Sequence, residues 1–216
     1  MKGKDIDEII KRLRALYPPD SFRRSDPFRV LVSTILSQRT NDKITYPTAE
    51  KLFDVFPDAQ YLAKAPLSKI EEIIHRVNYY KTKAERIKEI ANIIVRDFGG
   101  KVPREPKEMC ELPGVGPKTA NCVLVFGFGF PAIPVDTHVH RISNRIGLVR
   151  TKEPEKTEQE LKKIIPRKYW IEINELLVRH GQEICKPIKP ECAKCPIAEM
   201  CDFGMNALKT RKNERD

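Results

Sequence analysis

Residues 112–121 read Leu-Pro-Gly-Val-Gly-Pro-Lys-Thr-Ala-Asn. Gly114 and Gly116 stand two apart between an apolar pattern ending near Glu111 and another beginning near Pro117, so the stretch predicts a helix, a tight turn and a second helix. Such a turn brings backbone N–H groups to the surface with no Cβ in the way. Together with the free N–H groups of the following helix start they form a site for an anion such as a nucleic-acid phosphate. An ordinary helix–helix turn is the plainer reading of the same string. Lys118 then falls in the first turn, just after a proline suited to that position. A cation there opposes the helix dipole, which favours the neutral amine, and the neutral amine is the nucleophile. Taken alone, Lys118 reads first as a solvated or phosphate-pairing lysine.

Outward from this segment the apolar residues keep helical spacing almost everywhere. Ile6, Ile9, Ile10 and Leu13 share one face. Val30, Leu31, Thr34, Ile35 and Gln38 share another, behind an Asp26-Pro27 start signal. Residues 83–98 place Ile87, Ile90, Ile93 and Ile94 together and stop at Gly99-Gly100. Similar patterns run over 44–55, 67–76, 117–127, 137–147, 155–165 and 168–181, and strand-like alternation is scarce. The expected class is all-α. Gly127 to Pro131 reads as a break, and Lys209 to Asp216 as a frayed polar end.

Two further groupings carry chemistry. Val135-Asp-Thr-His138 begins a helix 18 positions after Lys118. Asp136 is a natural cap there, and a carboxylate so held can also steady a developing sugar cation or move protons. Near the C-terminus Cys185, Cys192, Cys195 and Cys201 follow a C-x6-C-x2-C-x5-C spacing. Four clustered thiolates bind zinc or an iron–sulfur cluster. One C-x-x-C instead of two knuckles, with all ligands on one loop, favours the cubane cluster. Cys110 and Cys122 lie outside the set and read as small core residues.

Composition narrows the partners. The 216 residues hold 40 Lys and Arg against 30 Asp and Glu, a net charge of +10 that fits a polyanionic partner or a merely charged coat. Residues 76–107 alone carry nine basic residues against four acids. No apolar run of membrane-spanning length occurs, and the N-terminus shows no leader pattern, so a cytoplasmic protein in a reducing compartment is expected; a monomer is the expected state.

Together the segments LPGVGPKTAN, VDTHVHR and the four-cysteine spacing resemble endonuclease III, the helix–hairpin–helix DNA glycosylase/AP lyase with a 4Fe-4S cluster. HGQ at 180–182 and LSQRTND at 36–42 extend the likeness over essentially the whole chain. The resemblance implies two helical domains. A six-helix barrel would span 22–134, with the hairpin motif at about 106–127, and a cluster domain would join 1–21 to 135–216. It implies that Lys118 attacks C1′ of a damaged pyrimidine nucleotide, that Asp136 assists, and that the strand is then cut by β-elimination. Candidate DNA contacts are Gly114, Gly116, Gln38, Arg39, Tyr79, His138, Lys186 and Lys189, with Lys194 beside them.

Two positions depart from the family's usual pattern. Arg39 stands where a glutamine commonly fills the gap left by the flipped base, and arginine prefers guanine edges. Tyr79 stands where a leucine wedge is common, though a core aromatic is its plainer reading. A G·T or G·U mismatch glycosylase is the related alternative, supported by Arg39 and opposed by Lys118. A non-catalytic DNA clamp is the remaining one, and it leaves Lys118 with Asp136 unexplained.

Overall fold

A computed structural model describes residues 5–18 and 25–213, with side chains described to residue 210. Among the described residues twelve α-helices form in chain order. They are α1 (Ile6–Leu16), α2 (Pro27–Ser37), α3 (Asp42–Val55), α4 (Ala59–Lys64), α5 (Leu67–Ile74), α6 (Tyr80–Phe98), α7 (Pro106–Glu111), α8 (Pro117–Cys122), α9 (Thr137–Ile146), α10 (Pro154–Ile164), α11 (Trp170–Glu183) and α12 (Asp202–Asn213). Among the described residues there is no strand, as the spacing predicts. Nor is any described helix long and apolar enough to cross a membrane.

Local chemistry sets the helix ends. Asp5, Asp26, Asn41, Asp58 and Asp136 each accept N–H bonds at the start of α1, α2, α3, α4 and α9, satisfying donors that have no partner within the helix. Gly99 ends α6 in the left-handed region at φ 59°.

The chain parts into two compact units, Arg23–Phe130 and the two flanking stretches. In the internal unit Leu31, Ile35, Leu52, Leu62, Ile70, Ile87, Ile90 and Ile94 are fully buried. Their i, i+3, i+4 spacing turns one stripe of each helix inward. In the terminal unit Ile9, Ile10 and Leu13 of α1 pack with Val139, Ile142 and Ile146 of α9, Leu161 of α10, and Ile173 and Leu177 of α11. Arg14 fastens α1 through a two-pronged bond to the buried carboxylate of Glu172, at 2.5 and 2.7 Å. The division comes earlier than a boundary at 134. Ile133 is buried in the terminal core, and Asn174 Nδ2 donates to Pro134 O at 2.8 Å, so 131–134 go with that unit. The other boundary, at 22, lies outside the described residues.

Four local expectations need correction. Gln38 does not extend α2: it caps the C-terminus, with ψ 116°. The helix after the hairpin is not α-helical to 127, because from Val123 to Phe128 it widens into a π-helix closed by left-handed Gly129. Gly127 there lies close against the start of α2, where a Cβ would come within 2.9 Å of Pro27 Cα. The C-terminal end is not frayed from 209, since α12 runs to Asn213; residues 214–216 lie outside the described set. Finally, Cys110 is exposed while its neighbour Met109 takes the core position, so only Cys122 is a buried spacer.

Candidate active site and thiol pocket

The hairpin is built as its glycines dictate. Leu112 N–H closes α7 on Met109 O, and Val115 N–H returns to Leu112 O at 3.1 Å. Gly114 sits at φ 71°, where a side chain would also overlap Arg86. Gly116 needs no such freedom, since its φ is −103° and a Cβ would meet nothing. Its lack of a side chain leaves the start of α8 uncapped, so the N–H groups behind Pro117 face no side-chain acceptor. Lys118 is exposed in that first turn, while Thr119, Ala120 and Asn121 are buried and fix the helix.

The segment before α3 stands against the hairpin. Gln38 Nε2 donates to Gly114 O at 3.1 Å, and Arg86 approaches Gln38 Oε1 at 3.4 Å. Arg39 and Tyr79 both adopt the left-handed region, at φ 54° and 58°, conformations that side chains seldom take without an imposed reason. The Arg39 guanidinium lies 6.0 Å from the Tyr79 ring centroid, a cation–π distance. Tyr79 is 64% exposed, which overturns its reading as a core aromatic. The two departures are therefore neighbours.

Asp136 belongs to the terminal unit. Its Oδ1 accepts from His138 N at 2.9 Å and Val139 N at 2.8 Å, so it is the cap of α9, and Oδ2 takes part in neither bond. His138 Nδ1 faces Arg141 Nη2 at 3.2 Å. Arginine only donates, so His138 Nδ1 is the acceptor in this contact.

Cys185, Cys192, Cys195 and Cys201 line one pocket of the terminal unit, with Ile142, Ile146, Ile184 and Ile197 as its apolar wall. Burial pushes the Cys195 thiol up to about 11 and raises that of Cys201. Donors nevertheless face the sulfurs. Arg145 Nη1 lies 3.4 Å from Cys185 Sγ and Gly204 N–H 3.3 Å from Cys201 Sγ. Among the described residues no three His, Cys, Asp or Glu side chains converge to hold one metal ion. Four thiols around one pocket are a donor set that fits an iron–sulfur cluster, as they also fit a zinc ion.

The loop between the first two cysteines is held from α9. Arg141 donates to Gly181 O and Cys185 O, and Arg145 to Lys186 O and Pro187 O, the latter two at 2.8 Å. Lys186 and Lys194 both pair with Glu191 at 2.8 Å and hold its carboxyl at about 2. Lys189 is exposed, with φ 51°. His180 is buried between Tyr17 Oη at 3.3 Å and Cys195 Sγ at 3.5 Å, and burial pushes it down to about 4.

Sequence reasoning missed the roles of Arg141 and Arg145, whose i, i+4 spacing on α9 was the available signal. It also missed Lys83, counted with the basic surface at 76–107 but 3% exposed.

Residues 32–167 match the family described as HhH-GPD superfamily base excision DNA repair protein. The chain is 49% identical over 196 residues to Endonuclease III of Thermotoga maritima, covering 91% of this chain and 90% of that one. It superposes on a trapped endonuclease III–DNA covalent intermediate with TM-score 0.85 at 31% identity, over 94% of this chain and 97% of the other. A thermostable thymine-DNA glycosylase superposes with TM-score 0.83 at 26% identity, over 93% and 96%.

Proposed function

The chain belongs to the endonuclease III family of the HhH-GPD base excision DNA repair proteins, and from that premise we propose how its residues divide the reaction. It is a DNA glycosylase with AP lyase activity, and the mismatch-glycosylase alternative is not favoured. The substrate class we assign is duplex DNA carrying an oxidised or otherwise damaged pyrimidine, or an abasic site, bound by a single copy of the chain.

The observation that carries the assignment is Lys118, exposed in the first turn of a helix that follows a hairpin with uncapped N–H groups. Those groups, at Gly114, Gly116 and behind Pro117, take a phosphate and supply affinity indifferent to sequence. The damaged nucleotide leaves the stack, which costs least where pairing is already weak. Lys118 Nζ attacks C1′ and the C1′–N bond breaks, the electron pair leaving with the base. The sugar ring opens to an iminium joining C1′ to Nζ. A base removes the C2′ proton, and those electrons form the C2′–C3′ double bond as the 3′ phosphate departs. Water then hydrolyses the iminium and frees Lys118. Asp136, with Oδ1 fixed by two N–H bonds, supplies the negative charge that steadies the sugar cation and shuttles protons.

Arg39 and Tyr79 are assigned to the orphaned opposite strand, with guanine as the favoured opposite base because a guanidinium bonds both acceptors of its edge. His138, Lys186 and Lys189 are assigned to the phosphates. Cys185, Cys192, Cys195 and Cys201 would hold a 4Fe-4S cluster. When bound, that group would supply cross-links that fix the 185–201 loop and no step at the sugar.

Borohydride reduction tests the assignment. The wild-type protein is expected to yield a covalent complex with duplex DNA containing an abasic site or an oxidised pyrimidine, and a strand nicked 3′ to the lesion. A protein that excises nothing and traps nothing would sink it. Asp136→Asn separates chemistry from capping, because asparagine caps a helix as well as aspartate does. Its thermal midpoint is expected to hold while single-turnover excision falls about 10²-fold. Equal loss of both would make Asp136 a cap and nothing more.

A further inference from the structure

Lys83 is the one buried lysine among the described residues, and the chemistry assigned above makes no use of it. Its ammonium donates to Leu36 O at 2.7 Å, Gln38 O at 2.6 Å and Thr40 Oγ1 at 3.0 Å. Those are all three of its donors, so the group is satisfied without water. The acceptors lie where α2 stops, and a cation suits the unpaired carbonyls of a helix C-terminus. Asn78 completes the set from the turn before α6, giving its N–H to Thr40 Oγ1 at 3.1 Å and its Nδ2 to Arg39 O at 2.5 Å.

The carbonyls of residues 36, 38 and 39 and the hydroxyl of Thr40 are therefore all drawn toward Asn78 and Lys83. With its carbonyl tied inward, Arg39 takes the left-handed conformation and its side chain lies exposed beside the Tyr79 ring. Gln38 is left to bridge to Gly114 of the hairpin. Burial pushes the Lys83 ammonium down to about 8, with the nearby Arg86 charge adding to the effect. A methionine would fill the same volume without a buried charge. It could not gather three oxygens.

We propose that Lys83 is a positioning residue: by holding the 37–40 turn in one shape it sets Gln38 and Arg39 for the DNA duplex, without touching the reacting sugar. The inference rests on the assignment of that turn to the opposite strand. It predicts a defect that depends on the second strand being present, which a general loss of structure would not produce.

The experiment compares borohydride trapping on one abasic oligonucleotide, single-stranded and annealed to its complement, for the wild type, Lys83→Met, Lys83→Arg and Asn78→Ala. Lys83→Met is expected to lose about 10²-fold in the trapping rate on duplex, the scale of a misplaced recognition group. On the single strand it should stay within about twofold of wild type, because the turn that Lys83 holds is assigned to the second strand. Lys83→Arg should recover part of the duplex rate, because it restores the cation. Asn78→Ala, altered at an exposed side chain, should lose less in the same direction, and it carries the test if Lys83→Met does not fold. Equal losses on both substrates, or no loss on either, would overturn the proposal. Failure of the wild type to trap either substrate would instead overturn the assignment of Lys118.

Discussion

Lys118→Ala protein is expected to form no borohydride-trapped complex with abasic DNA and to lose strand cleavage by at least about 10³-fold. The fold should not notice. Lys118 is exposed, and an exposed substitution of this kind changes stability within about 0.5 kcal/mol. Removing a cation from the first turn of α8 even relieves an unfavourable interaction with the helix dipole. Duplex affinity separates the two readings of this lysine. A phosphate-pairing lysine replaced by alanine would lower the log–log salt dependence of binding by about 0.9 and leave chemistry intact on bound DNA. A nucleophile replaced by alanine leaves binding nearly unchanged and removes the iminium. Trapping by Lys118→Ala at the wild-type rate would place the nucleophile elsewhere.

Cys195→Ser carries the second large effect. Cys195 lines the thiol pocket against the buried ring of His180, and Ile197 and Cys201 beside it are part of the terminal unit's core. The wild-type protein is expected to be yellow-brown and to hold about four irons per chain. Cys195→Ser should lose the colour and most of the iron. The terminal unit should lose at least about 4 kcal/mol of stability, the contribution of a group present at a thousandfold above its Kd. Urea unfolding and iron analysis on the same samples read both. Zinc without iron in the wild type would overturn the cluster assignment, and so would iron retained at full occupancy by Cys195→Ser. The Lys118 chemistry is independent of either outcome.

Much of the fold was readable because the signals are local. The apolar stripe of α6 stands in the spacing of Ile87, Ile90 and Ile94, and all three are fully buried. The Asp26-Pro27 and Asp136 starts announce α2 and α9, because a cap acts within three residues of itself. The left-handed turn needs Gly114 and has it. The cysteine spacing gave the thiol set, because one loop supplies all four.

Other features escaped because they depend on which distant segment arrives. Lys83 follows Tyr79, Tyr80 and Lys81 in a basic stretch and looks solvated. Only the arrival of the α2 C-terminus turns it into a buried clamp. Arg14 looks like an exposed helix residue until Glu172, 158 positions away, meets it. Cys110 and Met109 are both plausible core residues by composition, and the rotation of a six-residue helix decides between them.

The sequence by itself thus determined the helical class, the hairpin, the candidate nucleophile, the capped carboxylate and the four thiols, since each is written within a few residues of chain. Only the tertiary structure decided that Arg39 and Tyr79 stand together in strained, exposed conformations, and that a buried lysine shapes the turn between them and the hairpin. Backbone carbonyls are identical in every residue, so no sequence pattern marks which of them a distant ammonium will gather.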